Sequence, residues 1–457
     1  MNKKLNKNKK NTKIDTKRQI LSEILNISLL LIFIFLSSKA IFHEGFFRTI
    51  DDLTTVRLHY LYKELKHFNW FNFPVRMSGE LSNGYGYPLY LYYASLTYYF
   101  GALMMFLGKS HIVATKFVYI FPLIFGPLFF YIACRQKLKR LPSLIASIFY
   151  TFFPYRGFDI FLRGGAPEAW AVSFIPLVFA GIFILEKKQW GGFLFSLGLF
   201  LAVFSHQLTG AQLIIFVLIY GILFMRKNKR FWFYFLLSFG LLAFYIFPML
   251  FYIKIVRLTY IKENTQFILE SLKPINKLFD FKIKFTQGDF FSPFDLYFIF
   301  ISLIFIKWKN KWNLFWAFSG LILFLLIFEQ SLNFWKITLP ITGIFQFAWR
   351  NLTLLSFIIP FYLGQVVNQI KNNFSKLFLS ILVVIYSLNF QSLFKPKEYS
   401  TFYEYKPEGK CAAVSHHNEF LPIWVKKCPS KSTFLDISSL AKIKIFKEEP
   451  LFLSGKI

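Results

Sequence analysis

Apolar runs, most of them 15 to 25 residues long, recur along this chain and are separated by short polar clusters. They lie at roughly 20–38, 88–107, 112–134, 141–154, 167–185, 190–205, 209–225, 231–253, 294–306, 312–328, 351–367 and 375–393. A helix of about 20 apolar residues crosses a hydrocarbon layer of about 30 Å. Water-soluble proteins also have about half their residues apolar, but not in repeated blocks of this length with almost no charge. The pattern predicts an all-α polytopic membrane protein.

The polar clusters between the blocks constrain its topology. If every block crosses, alternation places "CRQKLKR" (134–140) and "RKNKR" (226–230) outside, against the positive-inside bias. If 88–107 does not cross, every basic cluster falls inside: the N-terminal tail, Arg135 to Arg140, Lys187 and Lys188, Arg226 to Arg230, Lys307 to Lys311, and Lys371 to Lys376. The segment "PLYLYYASLTYYFGALMMFL" suits a non-crossing position. Its tyrosines favour the headgroup zone, where the ring is buried and the hydroxyl is wet. The expectation is about eleven transmembrane helices plus one interfacial or re-entrant helix. Residues 1–19 form a basic cytoplasmic tail and 20–393 the membrane domain, with a first external loop at 39–87. Residues 394–457 form an extracytoplasmic soluble segment with strand-like pieces ("STFLDISSL", "AKIKIFK").

Composition sharpens this reading. The chain has 457 residues, 55% hydrophobic and 21% aromatic, with 64 phenylalanines. A formal charge of +30 raises the possibility of a nucleic-acid partner. The charge is concentrated in "MNKKLNKNKKNTKIDTKR" and in the short inter-block clusters, which is how topology-setting charge is distributed, so no nucleic-acid partner is expected. The tail has no small-residue cleavage site after its apolar block, so an uncleaved first span is expected. Three cysteines are too few for a disulfide framework; Cys134 abuts a basic cluster, while Cys411 and Cys428 share one soluble segment and could pair.

In this topology the distinctive polar groups lie on one face. The first loop carries His43, Glu44, Asp51, Asp52, Arg57 and His59. The 155–168 stretch carries Arg156, Asp159, Arg163 and Glu168. His206, Gln207 and Gln212 follow in "FSHQLTGAQ", and Trp349, Arg350 and Asn351 in "GIFQFAWRNL". Each has a plain structural reading. Asp51 or Asp52 could cap a helix beginning "DLTTVRLHYLYKELKHF", which contributes about 1 kcal/mol. Glu168 after Pro167 suits a helix start. His206 could be an ordinary interfacial histidine, and Trp349 with Arg350 a membrane border. Their convergence argues for function. Arginines and a histidine at the boundary can hold a lipid-linked phosphate whose tail stays in the bilayer. A nearby carboxylate can take a proton from an incoming hydroxyl or hold a divalent cation, Mg or Mn. The assignment is Asp51 and Asp52 as catalytic groups, with Arg57, Arg163, His206 and Arg350 binding the lipid phosphate and Glu168 orienting them.

The pieces "GFFRTIDDLTTVR", "FPVRMSGELSNGYGYPLY", "RGGAPEAWAVSFIPL", "FSHQLTG", "FQFAWRNL" and "NEFLPIWVKK", spread over residues 45 to 427, resemble the GT-C superfamily of membrane glycosyltransferases. In detail they are most similar to bacterial and archaeal membrane proteins labelled "6-pyruvoyl-tetrahydropterin synthase-related". The resemblance implies a GT-C-like fold and a catalytic or metal-binding acid in the first external loop, here Asp51 or Asp52. Related proteins often have a histidine a few residues after that acid. Here Thr54 and Thr55 occupy the region, and the nearest histidine is His59.

The expected function is transfer of a sugar from a polyprenyl-phosphate donor to a cell-envelope acceptor, a glycan or a protein, on the extracytoplasmic face. The partners are therefore the bilayer, the lipid-linked donor and that acceptor. Two alternatives remain open on sequence. One is a transporter or flippase of lipid-linked sugars, although the spans lack mid-membrane charge. The other is a non-catalytic scaffold that recruits envelope glycan enzymes.

Overall fold

The computed structural model describes residues 2–51, 53–82, 86–258, 266–279, 309–396, 398–400, 420–425, 444–449 and 452–456. Asp52, the apolar block 294–306 and the cysteines at 411 and 428 lie outside the described residues.

The apolar pattern resolves into helices in chain order: α1 (Asn2–Ser38), α2 (Thr54–Lys66), α3 (Leu89–Tyr92), α4 (Leu96–Phe106), α5 (His111–Arg135), α6 (Arg140–Thr151) and α7 (Pro154–Gly157). After a π-helical turn, Phe158–Arg163, come α8 (Ala166–Leu185), α9 (Gly191–Ser205), α10 (Gln207–Phe224) and α11 (Lys229–Tyr252). The remaining helices among the described residues are α12 (Phe267–Glu270), α13 (Lys311–Leu325), α14 (Leu332–Thr342), α15 (Asn351–Gln369) and α16 (Asn373–Asn389). Among the described residues, 7 helical segments are long and apolar enough to cross a membrane: Lys17–Phe42, His111–Arg135, Ala166–Leu185, Gln207–Phe224, Lys229–Ile255, Ala348–Gln369 and Asn373–Leu393.

The tyrosine-rich block does not form one helix. It breaks at Tyr93–Ser95 into α3, of 4 residues, and α4, of 11 residues. At 1.5 Å per residue neither approaches a hydrocarbon thickness of about 30 Å. Local chemistry sets several other starts. Ser110 accepts from the Val113 N–H ahead of α5, and Asn228 from Phe231 ahead of α11. Asn310 and Asn372 do the same for α13 and α16. These caps satisfy backbone donors that a helix start leaves unpaired.

Two helices form the centre. The apolar window of α8 is 100% buried and that of Ala348–Gln369 is 94% buried, against 17% for the first span and for the Lys229–Ile255 span. The outer helices expose large apolar side chains such as Phe247 at 69%. Such surface suits lipid contact. Pro122 inside α5 leaves the Val118 carbonyl without its helical donor, and Trp170 Nε1–H of α8 donates to that carbonyl at 2.7 Å.

Charge pairs tie one end of the bundle together. Glu23 of α1 meets Arg135 at 2.8 Å and Arg140 at 2.7 Å. Lys137 pairs with Glu186 just past α8. The Lys139 N–H donates to Asn368, near the end of α15, at 3.1 Å. The basic turns of α5–α6 thus share an end with the C-termini of α8 and α15, and the N-termini of those two central helices lie at the opposite end. There, β1 (Phe46–Phe47) pairs antiparallel with β2 (Tyr399–Ser400), joining the first loop to the chain after α16. A second hairpin, β3 (Lys444–Glu449) with β4 (Phe452–Lys456), overlaps the expected strand-like piece "AKIKIFK", while "STFLDISSL" lies outside the described residues.

Candidate functional site

The polar cluster begins where the first loop meets the chain ahead of α8. Ile50 N–H donates to Leu162 O at 3.1 Å and Asp51 N–H to Arg163 O at 2.7 Å. Gly164 follows with φ +80°, a conformation glycine adopts at little cost. A Cβ there would stand 2.2 Å from Thr49 Oγ1 and 3.0 Å from the Asp51 carbonyl. Tyr119, from α5, donates to the Gly164 carbonyl at 2.8 Å. Main-chain bonds therefore fix Asp51 beside Arg163.

Arg163 gathers three carboxylates. Its Nη1 lies 2.9 Å from Glu168 Oε2 and 3.1 Å from Asp159 Oδ1, and its Nε 3.7 Å from Asp51 Oδ2. Its guanidinium also sits 5.2 Å from the Trp349 ring centroid. Burial opposes its charge, but Glu168 and Asp159 outweigh that and hold its pKa well above the ordinary value. The Asp159 side chain is 2% exposed and Glu168 1%, whereas Asp51 is 47% exposed. Asp51 is thus the solvent-accessible member of the three. Burial first, then Glu168, pushes the Asp159 carboxyl well above the usual range, and among the described residues its Oδ2 has no hydrogen-bond partner.

Glu168 is the hub. Besides Arg163, it faces Arg350 Nε at 3.5 Å and His206 Nε2 at 3.7 Å, and Tyr155 donates to its other oxygen. Arg350 is anchored by Nη1 bonds to Phe345 O at 2.7 Å and Gln346 Oε1 at 2.8 Å. His206 is the N-cap of α10: its Nδ1 accepts from the Thr209 N–H at 3.3 Å and lies 2.9 Å from Thr209 Oγ1. That fixes the tautomer, since an accepting Nδ1 leaves the proton on Nε2, toward Glu168. Burial, then Arg350 and Arg163, outweighs the pull of Glu168 and lowers the imidazole pKa to about 3.

Three helices, α8, α10 and α15, therefore begin at this cluster. Helix N-termini carry partial positive charge and favour anions. The arrangement can hold a carboxylate ready to accept a proton and offer positive charge to an anion beside it.

Four of the sequence-assigned residues, Arg163, Glu168, His206 and Arg350, come together around one carboxylate, with Asp51 at the margin. Arg57 is placed differently. It is buried on α2, 4.2 Å from the Tyr93 ring centroid and donating to the Tyr98 hydroxyl at 3.0 Å. The capping role open to Asp51 is not what it does: Leu53 is the N-cap of α2, with no side-chain cap. Trp349 and Arg350 are not at a solvated border; they are 8% and 3% exposed.

Sequence reasoning assigned no role to Asp159 or Tyr155. Asp159 sits four residues before Arg163, a helical-neighbour spacing that would have signalled the pair. The described residues do not fit a divalent cation. They contain no group of three or more His, Cys, Asp or Glu side chains arranged to hold a metal ion. The three carboxylates face the Arg163 guanidinium, which takes the place a cation would need.

A family model described as a 6-pyruvoyl-tetrahydropterin synthase related domain, a membrane protein, matches residues 90–394. No curated protein matches the sequence. Among solved structures, the chain is similar to the single-particle cryo-EM structure of arabinofuranosyltransferase AftD from Mycobacteria. The TM-score is 0.56 at 12% identity, covering 84% of this chain. The chain spans 27% of the length of that protein. At this identity the likeness is one of fold, and the fold is GT-C-like, as the sequence motifs led one to expect.

Proposed function

The chain belongs to the 6-pyruvoyl-tetrahydropterin synthase-related family of membrane proteins, and from that membership and its GT-C-like fold we propose that it is a membrane glycosyltransferase. It takes a sugar from a polyprenyl-phosphate carrier and transfers it to a cell-envelope acceptor on the extracytoplasmic face. The observation that carries the reading is the single polar cluster at the N-terminal ends of α8, α10 and α15, with a half-exposed carboxylate, Asp51, at its edge.

In this reading Asp51, or its neighbour Asp52, accepts the proton of the acceptor hydroxyl. The acceptor oxygen bonds to the anomeric carbon of the sugar. The bond from that carbon to the phosphate oxygen breaks, and the carrier phosphate leaves with the electron pair. Arg163, Arg350 and the Nε2–H of His206 present positive charge and a donor to the departing phosphate, supported by the helix termini. Glu168 keeps them oriented. Arg57, 4.2 Å from the Tyr93 ring and donating to the Tyr98 hydroxyl, braces α2 against α4.

The test is the double variant Asp51→Asn/Asp52→Asn, assayed for transfer from a polyprenyl-phosphate sugar into the envelope fraction. Transfer should fall by about 10²-fold or more while the amount of protein in the membrane is unchanged. Undiminished transfer removes both acids from the mechanism. An envelope glycan composition that is identical with and without the protein counts against the reading as a whole.

A further inference from the structure

Among the described residues, the chain beyond α16 returns to the cluster end of the bundle at two places. At Tyr399–Ser400 it pairs with Phe46–Phe47, just ahead of Asp51, and Tyr399 stacks on His43 with ring centroids 3.9 Å apart. At Phe420–Val425, inside the "NEFLPIWVKK" stretch that the transferase reading leaves unused, it forms a strap against the chain that follows α11. Phe420 N–H donates to the Arg257 carbonyl at 2.9 Å, Arg257 N–H to Leu421 O at 2.8 Å and Ile423 N–H to Ile255 O at 3.0 Å. Val256 bridges antiparallel to Pro422, and the Arg257 guanidinium donates to the Val425 carbonyl. Phe420 and Leu421 are buried in this arrangement, while Ile423 and Trp424 are exposed.

Phe420 reaches further than the strap itself. Its backbone is left-handed, φ +60°, which a bulky residue adopts only at a cost. Its ring lies nearly parallel to that of Tyr92 in α3, with centroids 5.0 Å apart and planes at 17°, and 6.4 Å from the Tyr87 ring. Tyr92 is held at two other points. Its hydroxyl donates to the Tyr252 carbonyl, at the end of α11, at 2.8 Å, and its carbonyl accepts from Gln207 Nε2 at 2.6 Å. Gln207 is the residue after His206. Tyr93, the residue after Tyr92, has the Arg57 guanidinium 4.2 Å from its ring centroid. Tyr92 thus links the strap to His206 on one side and to Arg57 on the other.

We propose that Phe420 is a positioning residue of the transferase: stacked on Tyr92, it fixes the break between α3 and α4, and with it the seat of His206 beside Glu168 and the bracing of Arg57 on Tyr93. The proposal rests on the transferase reading and goes beyond it by making the segment after the membrane domain part of the working site rather than a separate module. Phe420 acts through Tyr92 and touches no reacting atom.

The experiment compares full-length purified wild type with Phe420→Ala, Phe420→Gly and Phe420→Tyr. It measures amide exchange over residues 89–93, thermal unfolding, and transfer from a polyprenyl-phosphate sugar per mole of folded protein. Phe420→Ala should speed exchange over 89–93 and lower kcat/KM by about 10-fold to 100-fold, the scale of a displacement of about 1 Å at a reacting centre. Phe420→Tyr keeps the stacked ring and should recover wild-type exchange and most of the rate. Phe420→Gly gives the readout that a merely structural role would not: glycine relieves the left-handed backbone, so this variant should melt above Phe420→Ala yet transfer as slowly. Combining Phe420→Ala with Gln207→Ala should cost less than the product of the single losses, since both side chains act on Tyr92. Unchanged exchange at 89–93, undiminished kcat/KM in Phe420→Ala, a rate that follows the melting temperature across the variants, or losses that multiply in the double variant each overturn the positioning role, and wild-type transfer then leaves the transferase reading standing. Absence of transfer by wild type overturns the transferase reading and the positioning role with it.

Discussion

Replacing Glu168 by glutamine would remove the charge at the hub while keeping its shape. The Glu168 side chain is 1% exposed and lies 2.9 Å from Arg163, 3.5 Å from Arg350 and 3.7 Å from His206. Arg163 keeps Asp159 at 3.1 Å and Asp51 at 3.7 Å. Arg350 keeps only neutral acceptors, Phe345 O and Gln346 Oε1. The cost is therefore that of one stranded buried guanidinium rather than two. Removing one partner of a buried ion pair costs about 3–5 kcal/mol. With Arg163 still compensated, the expected loss is near the lower figure, about 3 kcal/mol, or roughly a hundredfold in the unfolding equilibrium. The assay is equilibrium unfolding of the purified protein in mixed detergent micelles. Removing the stranded cation as well, in Glu168→Gln/Arg350→Gln, should recover at least half of the loss through coupling between the two sites. A loss below about 1 kcal/mol, the value of an exposed pair, or a double variant worse than the sum of the singles, refutes the hub.

Three further outcomes are expected. Folded His206 resists protonation down to about pH 3, while the unfolded chain takes the proton near 6.5. Its contribution to stability is present above 6.5 and is lost as pH falls toward 3; His206→Gln should flatten the acid slope of the unfolding midpoint, and an unchanged slope contradicts the buried neutral imidazole. Gly164→Ala should cost about 1–3 kcal/mol of stability, from the left-handed backbone and the close approach to Thr49, and should depress transfer; a melt indistinguishable from wild type would mean the two loops are not packed as described. Single cysteines at positions 52, 137 and 228, probed in intact cells with an impermeant thiol reagent, should react at 52 and not at 137 or 228; labelling at the two basic turns would reverse the orientation taken here.

The helices were legible where apolar content and a punctuating residue coincide. The block at 112–134 became His111–Arg135, begun by Ser110, and that at 167–185 became Ala166–Leu185, begun by Gly165 and Pro167. The break at Tyr93–Ser95 carries no proline or glycine, so apolarity alone could not place it. The π-turn Phe158–Arg163 was equally silent, because its spacing differs from α-helical spacing by one residue. In the cluster, Glu168, His206 and Arg350 were visible because each is a polar residue at the edge of an apolar block. The bracing of Arg57 by Tyr93 and Tyr98 depends on how α2 lies along α4, a contact between distant segments that no local pattern encodes. Asp51 read as a helix cap or a site residue with equal ease; the main-chain bonds to Leu162 and Arg163 separate the two, and those bonds leave no trace in residue type.

Those same two bonds bear on how such a protein can diversify. Because Asp51 hangs from main-chain atoms of the segment ahead of α8, exchanging the exposed neighbours Arg48 and Ile50 leaves its position intact. On the proposed function, directed evolution of acceptor preference therefore has room on this rim, where new side chains can meet different acceptors while the Asp51 carboxylate stays moored.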